Sequence, residues 1–128
     1  MSIIQTTNLY SNSTAFNTAV VFRTSAGAEN GTLCKAWVSF RGTSTVVIRA
    51  DFNVNSVTDL GPGQYRVNFS SSVTANYAPV VTASYEANEV TSCVLRSGTY
   101  STTQFAIATF IATVGDRDAS IVTAAVFR

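Results

Sequence analysis

The sequence contains no histidine. That single absence removes the commonest general base and the commonest zinc ligand together. Charge is scarce as well: Asp, Glu, Lys and Arg make up 12% of the 128 residues, against about 25% in ordinary soluble domains. Eight basic and seven acidic residues, scattered without runs, leave a formal net charge of +1, so no field steers the chain toward nucleic acid or an anionic membrane. There are two cysteines. Cys34 and Cys93 stand too far apart for a zinc site and are too few for a disulfide framework. They read as reduced, small, buried hydrophobes, with a disulfide between them as the lesser alternative. No apolar run approaches the ~18 residues of a membrane span. The opening "MSIIQTTNLYSNS" has neither the positive start nor the apolar block of a secretory signal, and a cytoplasmic origin is expected. Glycine-rich phosphate loops and a "GxSxG" elbow are also missing.

What is present is hydroxyl-rich and β-forming. Ser and Thr supply about a quarter of the chain, Val and Thr dominate, and no segment keeps apolar residues at helical spacing for three turns. The length suits one domain burying roughly two-thirds of its unfolded surface. "TAVVFRT" leads to a turn-forming "SAGAENG". "LCKAWVSFR" then places Cys34, Ala36, Val38 and Phe40 on one face, with Lys35, Trp37 and Ser39 on the other. After "GTS", a hairpin-length link, "TVVIRADF" turns Val46, Ile48, Ala50 and Phe52 inward and Val47, Arg49 and Asp51 outward. "LGPGQYRVNF" joins a turn built on Gly61, Pro62 and Gly63 to a strand with Tyr65, Val67 and Phe69 on one side. "SSVTAN" is a connection; "YAPVVTASYE", "EVTSCVLR", "TQFAIATFIAT" and "ASIVTAAVF" complete about eight strands. The expected fold is an all-β antiparallel sandwich spanning residues 18–128, with edge strands covered by neighbouring subunits.

Residues 1–17 have no regular period. Their spaced apolar side chains, Ile3, Ile4, Leu9, Tyr10 and Phe16, suggest an extended N-terminal arm able to reach about 50 Å.

The candidates for chemistry are few. Asp51, Asp59, Glu86, Glu89, Asp116 and Asp118 could in principle supply a glycosidase pair, but "EANE" and "GDRD" read as solvated hairpin loops. "GDRD" also lacks the further oxygen ligands that a calcium loop carries. "NST", "NGT" and "NFS" match a glycosylation triplet that a chain so rich in these residues generates by chance. Phe22, Phe40, Phe52, Phe69, Phe105 and Phe127 fall on strands and read as core. Trp37, opposite the core face of its strand, reads as a packing residue, subunit packing included.

The segment "CKAWVSFRGTSTVVIRADFNVNSVTDLGPGQYRVNF", with the later "ANY" and the closing "GDRDASIVTAAVFR", resembles a module of tailed-bacteriophage virion proteins. The module recurs in tail-fibre and related structural proteins, especially of phages infecting aquatic bacteria and cyanobacteria. The likeness runs from Cys34 to Arg128, with Ser44 standing where the module often has a second glycine. It implies a non-enzymatic virion structural protein assembled in the host bacterial cytoplasm, with no cofactor, metal, nucleic acid or membrane partner. A short arm in place of a long fibre shaft points to a capsid decoration or cement protein. As such it would be a homotrimer bound between capsomers of the major capsid protein. The alternative it implies is a tail-fibre or receptor-binding module contacting the host surface. On the decoration reading, Ile3, Ile4, Leu9, Tyr10, Phe16 and Trp37 are the expected subunit or capsid contacts.

Overall fold

The computed structural model describes residues 20–24, 27–31, 34–85, 91–96 and 100–128. The chain divides into two compact units between Leu33 and Cys34. In the first, β1 (Val20–Thr24) and β2 (Gly27–Gly31) pair antiparallel as a hairpin. The stretch read as a turn, "SAGAENG", therefore supplies a strand. Its Gly, Glu and Asn give no apolar alternation, and pairing with β1 comes from backbone groups that every residue carries. The expected arm boundary between Asn17 and Thr18 lies outside the described residues, as do Ile3, Ile4, Leu9, Tyr10 and Phe16.

The second unit is all β. Its strands are β3 (Cys34–Arg41), β4 (Val47–Phe52), β5 (Val54–Gly61), β6 (Gln64–Phe69), β7 (Ala78–Ser84), β8 (Thr91–Arg96), β9 (Gln104–Ile111), β10 (Gly115–Asp116) and β11 (Ile121–Phe127). They form two antiparallel sheets, β4-β3-β11-β7 and β5-β6-β9-β8, with the two-residue β10 also pairing with β9. The antiparallel β-sandwich expected from the sequence is thus the fold. Sequence pattern missed β5, "VNSVTDLG". This strand pairs only with β6 and leaves most of its side chains exposed, so no apolar alternation is demanded of it.

Between the sheets lies one core, to which β3 contributes Ala36, Val38 and Phe40, β6 contributes Tyr65, Val67 and Phe69, and β11 contributes Val122, Ala124 and Val126. Phe40 meets Tyr65 edge to face at 5.1 Å between ring centroids, one ring from each sheet. Burying each such ring contributes about 1.5–3 kcal/mol. Phe105 and Ile107 of β9 complete the layer.

Two bulges decide which side chains reach this core. Across β3 and β4, Ser39 pairs with Ala50 but Phe40 pairs with Ile48, so Arg49 is an extra residue. A bulge resets the two-residue alternation. Ile48 still faces inward, while Ala50 and Phe52 turn to the outer face, correcting the reading that placed both in the core. Across β3 and β11, Ala36 pairs with Val126 and Cys34 with Phe127, leaving Lys35 as the extra residue. Lys35 is correspondingly buried, at 6% exposure, rather than outward. Phe127 lies outside the core by simple alternation with Val126, a further correction, and is exposed. The side chain of Phe22 lies outside those described. Edge strand β5 carries register shifts at Asn55 and Leu60, so both β4 and β5 interrupt their free edges from within, a device that discourages strand addition.

The corners are held by residues with positive φ. Asn53 (φ 54°) turns the chain from β4 to β5. Its Nδ2 donates to the carbonyls of Lys35 (3.0 Å) and Ser71 (3.2 Å), and its Oδ1 accepts from Ser71 N (2.8 Å). Asparagine tolerates this conformation better than most residues with a Cβ. Ser44, in the β3–β4 turn, also has positive φ (62°), which explains why a glycine would suit that position. In the β5–β6 turn, Pro62 is followed by Gly63 at φ 67°, the turn role the sequence assigned to this cluster.

Candidate functional site on the outer face of one sheet

The outward side chains of β4, β3, β11 and β7 form aligned rows. Phe52, Trp37, Ala125 and Val80 stand opposite one another across all four strands. Phe52 is 45% exposed, Trp37 39% and Val80 56%. Alongside runs a second row, Ala50, Ser39, Thr123 and Thr82, in which the Thr82 and Thr123 hydroxyls bond to each other at 2.5 Å. On the other side of the apolar row, Phe127 lies between Cys34 and Ala78. None of these three rows contains a charged residue.

Of the eleven large hydrophobic residues exposed among those described, six belong to this face: Trp37, Val47, Phe52, Val80, Ile121 and Phe127. Singly exposed apolar residues are ordinary, whereas an aligned, uncharged group on a rigid sheet is the form an interaction surface takes. Trp37 is where the sequence placed it, outward. Phe52 and Val80 were not singled out. Phe52 was hidden by the bulge at Arg49, and Val80 by the consecutive valines of "APVVTAS", which fit either face.

At one end of the sandwich the "GDRDAS" segment is tied down by its side chains. Asp118 Oδ1 accepts from Gly63 N at 2.7 Å and from the Tyr65 phenol at 3.0 Å. Thr109 Oγ1 donates to Arg117 O at 2.7 Å, and Arg117 N donates back to Thr109 O at 3.0 Å. The Arg117 guanidinium donates to Tyr85 Oη at 2.7 Å, with its centre 4.3 Å from the Tyr85 ring centroid. Ser120 Oγ reaches Ser84 O, and Arg49 reaches Ser120 O. Asp116 accepts from Gln64 Nε2 at 2.8 Å, and Gln64 Oε1 in turn accepts from Arg96.

A phenol bonded to a carboxylate invites an acid–base reading. Its surroundings argue otherwise. Tyr65 is fully buried, and burial followed by the hydrogen bond to Asp118 raises its pKa well above the ordinary tyrosine value. A Cβ on Gly42 would collide with the phenol oxygen, so backbone seals this pair from substrate. Asp118 is therefore a structural tether and not the solvated loop carboxylate the sequence suggested. Asp116 is exposed, as are Asp51 and Asp59, the last capping Gly61 N at 2.9 Å. Glu86 and Glu89 lie outside the described residues. Among the described residues no three His, Cys, Asp or Glu side chains gather as a metal site would need.

Both cysteines are free thiols and half-buried. Cys93 packs against the core, and burial pushes its thiol up to about 11. No helix among the described residues is long and apolar enough to cross a membrane. No protein-family model, curated protein or solved structure matches this chain.

Proposed function

We propose that this chain is a non-enzymatic bacteriophage virion structural protein, a capsid decoration or cement protein that binds as a homotrimer between capsomers of the major capsid protein. The observation that carries this reading is the uncharged apolar row Phe52, Trp37, Ala125 and Val80 on a rigid sheet. Such a face works by contact, with no reaction to perform. The resemblance to the virion module supports the same reading, since its span, Cys34 to Arg128, coincides with the second compact unit. The mechanism is mechanical: each copy adds a modest contact at a joint, and the sum over the particle opposes internal DNA pressure.

Quantitative mass spectrometry of purified virions tests the proposal. Hundreds of copies per particle are expected, in a fixed ratio to the major capsid protein. A handful would favour the tail-fibre or receptor-binding reading, and absence from the particle would overturn both. Deleting Met1 to Asn17 is expected to abolish head binding while leaving the sandwich folded. Retained head binding would remove the arm residues Ile3, Ile4, Leu9, Tyr10 and Phe16 from the contact.

A further inference from the structure

We infer that the outer face of sheet β4-β3-β11-β7 is the surface on which a second copy of this chain seats, with Trp37 and Phe52 at its centre. The inference rests on the proposal that copies of this chain associate, and supplies a two-fold contact between them that is distinct from the three-fold contact of the homotrimer.

Charge selects the occupant. In association between identical chains, residues near the symmetry axis meet their own copies, so a Lys or Asp there would face a like charge. The three central rows hold only Ala, Val, Phe, Trp, Cys, Ser and Thr. The nearest charged residues of these strands lie at bulges, ends or the open edge: Lys35, Arg41, Arg49, Asp51 and Arg128. A foreign partner captured by its charge would have left the complementary sign within these three rows, and none is there; Arg41, paired with Val47, stands beyond them at the end of β3.

Size agrees. Strands of six to eight residues at ~3.3 Å per residue, four abreast at ~4.8 Å, present a face of roughly 500 Å² in projection. Two copies thus bury about 1,000 Å², the size at which a specific interface begins. The composition is also that of an interface centre, with aromatic anchors and a border of hydroxyls that can bond to each other or to water. Two sheet faces packed in this way would interdigitate at ~10 Å separation, as within a sandwich.

The chain reports on this face itself, because Trp37 is its sole tryptophan. Sedimentation velocity of the full chain from about 1 to about 100 µM, paired with acrylamide quenching of Trp37 fluorescence, is the test. Association is expected to rise with concentration while the quenching constant falls several-fold. Val80→Lys, at an exposed position on β7, is expected to weaken association at least tenfold with unchanged far-ultraviolet circular dichroism. Leu60→Lys, exposed on β5 of the other sheet, is expected to leave association unchanged. Should Val80→Lys perturb the fold, Thr82→Lys in the neighbouring row serves the same purpose. Association with unchanged Trp37 quenching and no effect of the lysines would overturn the face while leaving the homo-oligomer standing. A chain that stays single over the whole range would overturn both, whatever the virion copy number shows.

Discussion

Asp118 Oδ1 accepts a 3.0 Å hydrogen bond from the Tyr65 phenol across 53 residues of sequence, and the same oxygen accepts from Gly63 N. One carboxylate thus fixes the segment leading into β11 to the β5–β6 turn and to β6. Asp118→Ala leaves a fully buried phenol and a turn amide without their acceptor. It is expected to cost about 1–3 kcal/mol, read as a fall in the urea midpoint at unchanged slope. Tyr65→Phe removes one donor and leaves Asp118 the other, so its cost is expected to be smaller. The double variant should fall short of the sum, because both changes break the same bond. Full additivity would mean that the pair is not coupled.

Gly63 bears the next prediction. Its φ of 67° is costly for other residues, and a Cβ there would collide with Thr109 O and with the backbone of Arg117. Both obstacles are main chain and cannot rotate away. Gly63→Ala is expected to destabilise by more than the ~1 kcal/mol of a simple conformational penalty. At Gly61 the space for a Cβ is open, so Gly61→Ala pays only for its backbone angle. Thermal unfolding of the two variants should rank Gly63→Ala lower, and the reverse order would contradict the close packing of the β5–β6 turn on β9 and Arg117.

The fold class was legible because β6, β11 and β3 from Ala36 onward alternate without interruption, their inner residues Ala36, Val38, Phe40, Tyr65, Val67, Phe69, Val122, Ala124 and Val126 all falling in the core. The bulge at Lys35 moves Cys34, read as a core-face residue, to the outer side beside Phe127. What stayed hidden were departures from that period. The extra residue at Arg49 exchanges faces for Ala50 and Phe52, and no local propensity marks where a bulge will fall. β5 was silent for a different reason: an edge strand is made by its partner's backbone, and its side chains need carry no pattern. The candidate face was half legible. Trp37 stood out by its opposition to the core residues of β3, but the row it belongs to is created by register between strands that are far apart in sequence. Asp118 looks solvated in the sequence because it sits in a short charged loop, "GDRD", until the fold brings Gly63 and Tyr65 to it.

Asn53 separates conformation from hydrogen bonding. Its side chain bonds to Lys35 O, Ser71 O and Ser71 N from a backbone at φ 54°. Asn53→Gly keeps the backbone angle accessible and loses the three bonds, while Asn53→Ala loses both. The expected order of stability is Asn, then Gly, then Ala, with each step about 1 kcal/mol. If Asn53→Gly matched the parent chain in chemical denaturation, the side-chain bonds would contribute nothing at this corner.

Stability should decline on the alkaline side. Burial raises Cys93 from an ordinary 9.0 to about 11 and Tyr77 from 10.0 to about 12, in Tyr77 with a smaller contribution from Tyr100. In each case the folded chain holds its proton to higher pH than the unfolded chain does. The stabilisation is therefore complete below about pH 9, where neither state has lost a proton. It is then lost as pH rises, because the unfolded state binds fewer protons and deprotonation favours it. Urea midpoints are expected to be level from pH 7 to 8.5 and to fall between pH 9 and 12. Cys93→Ala should flatten the first part of that fall, between pH 9 and 11, leaving the later part to Tyr77 and to Tyr65, whose shift has the same direction. Midpoints that held constant to pH 11 in the parent chain would show that the Cys93 thiol is solvated in the folded protein, and that β8 does not pack its inner face against the core.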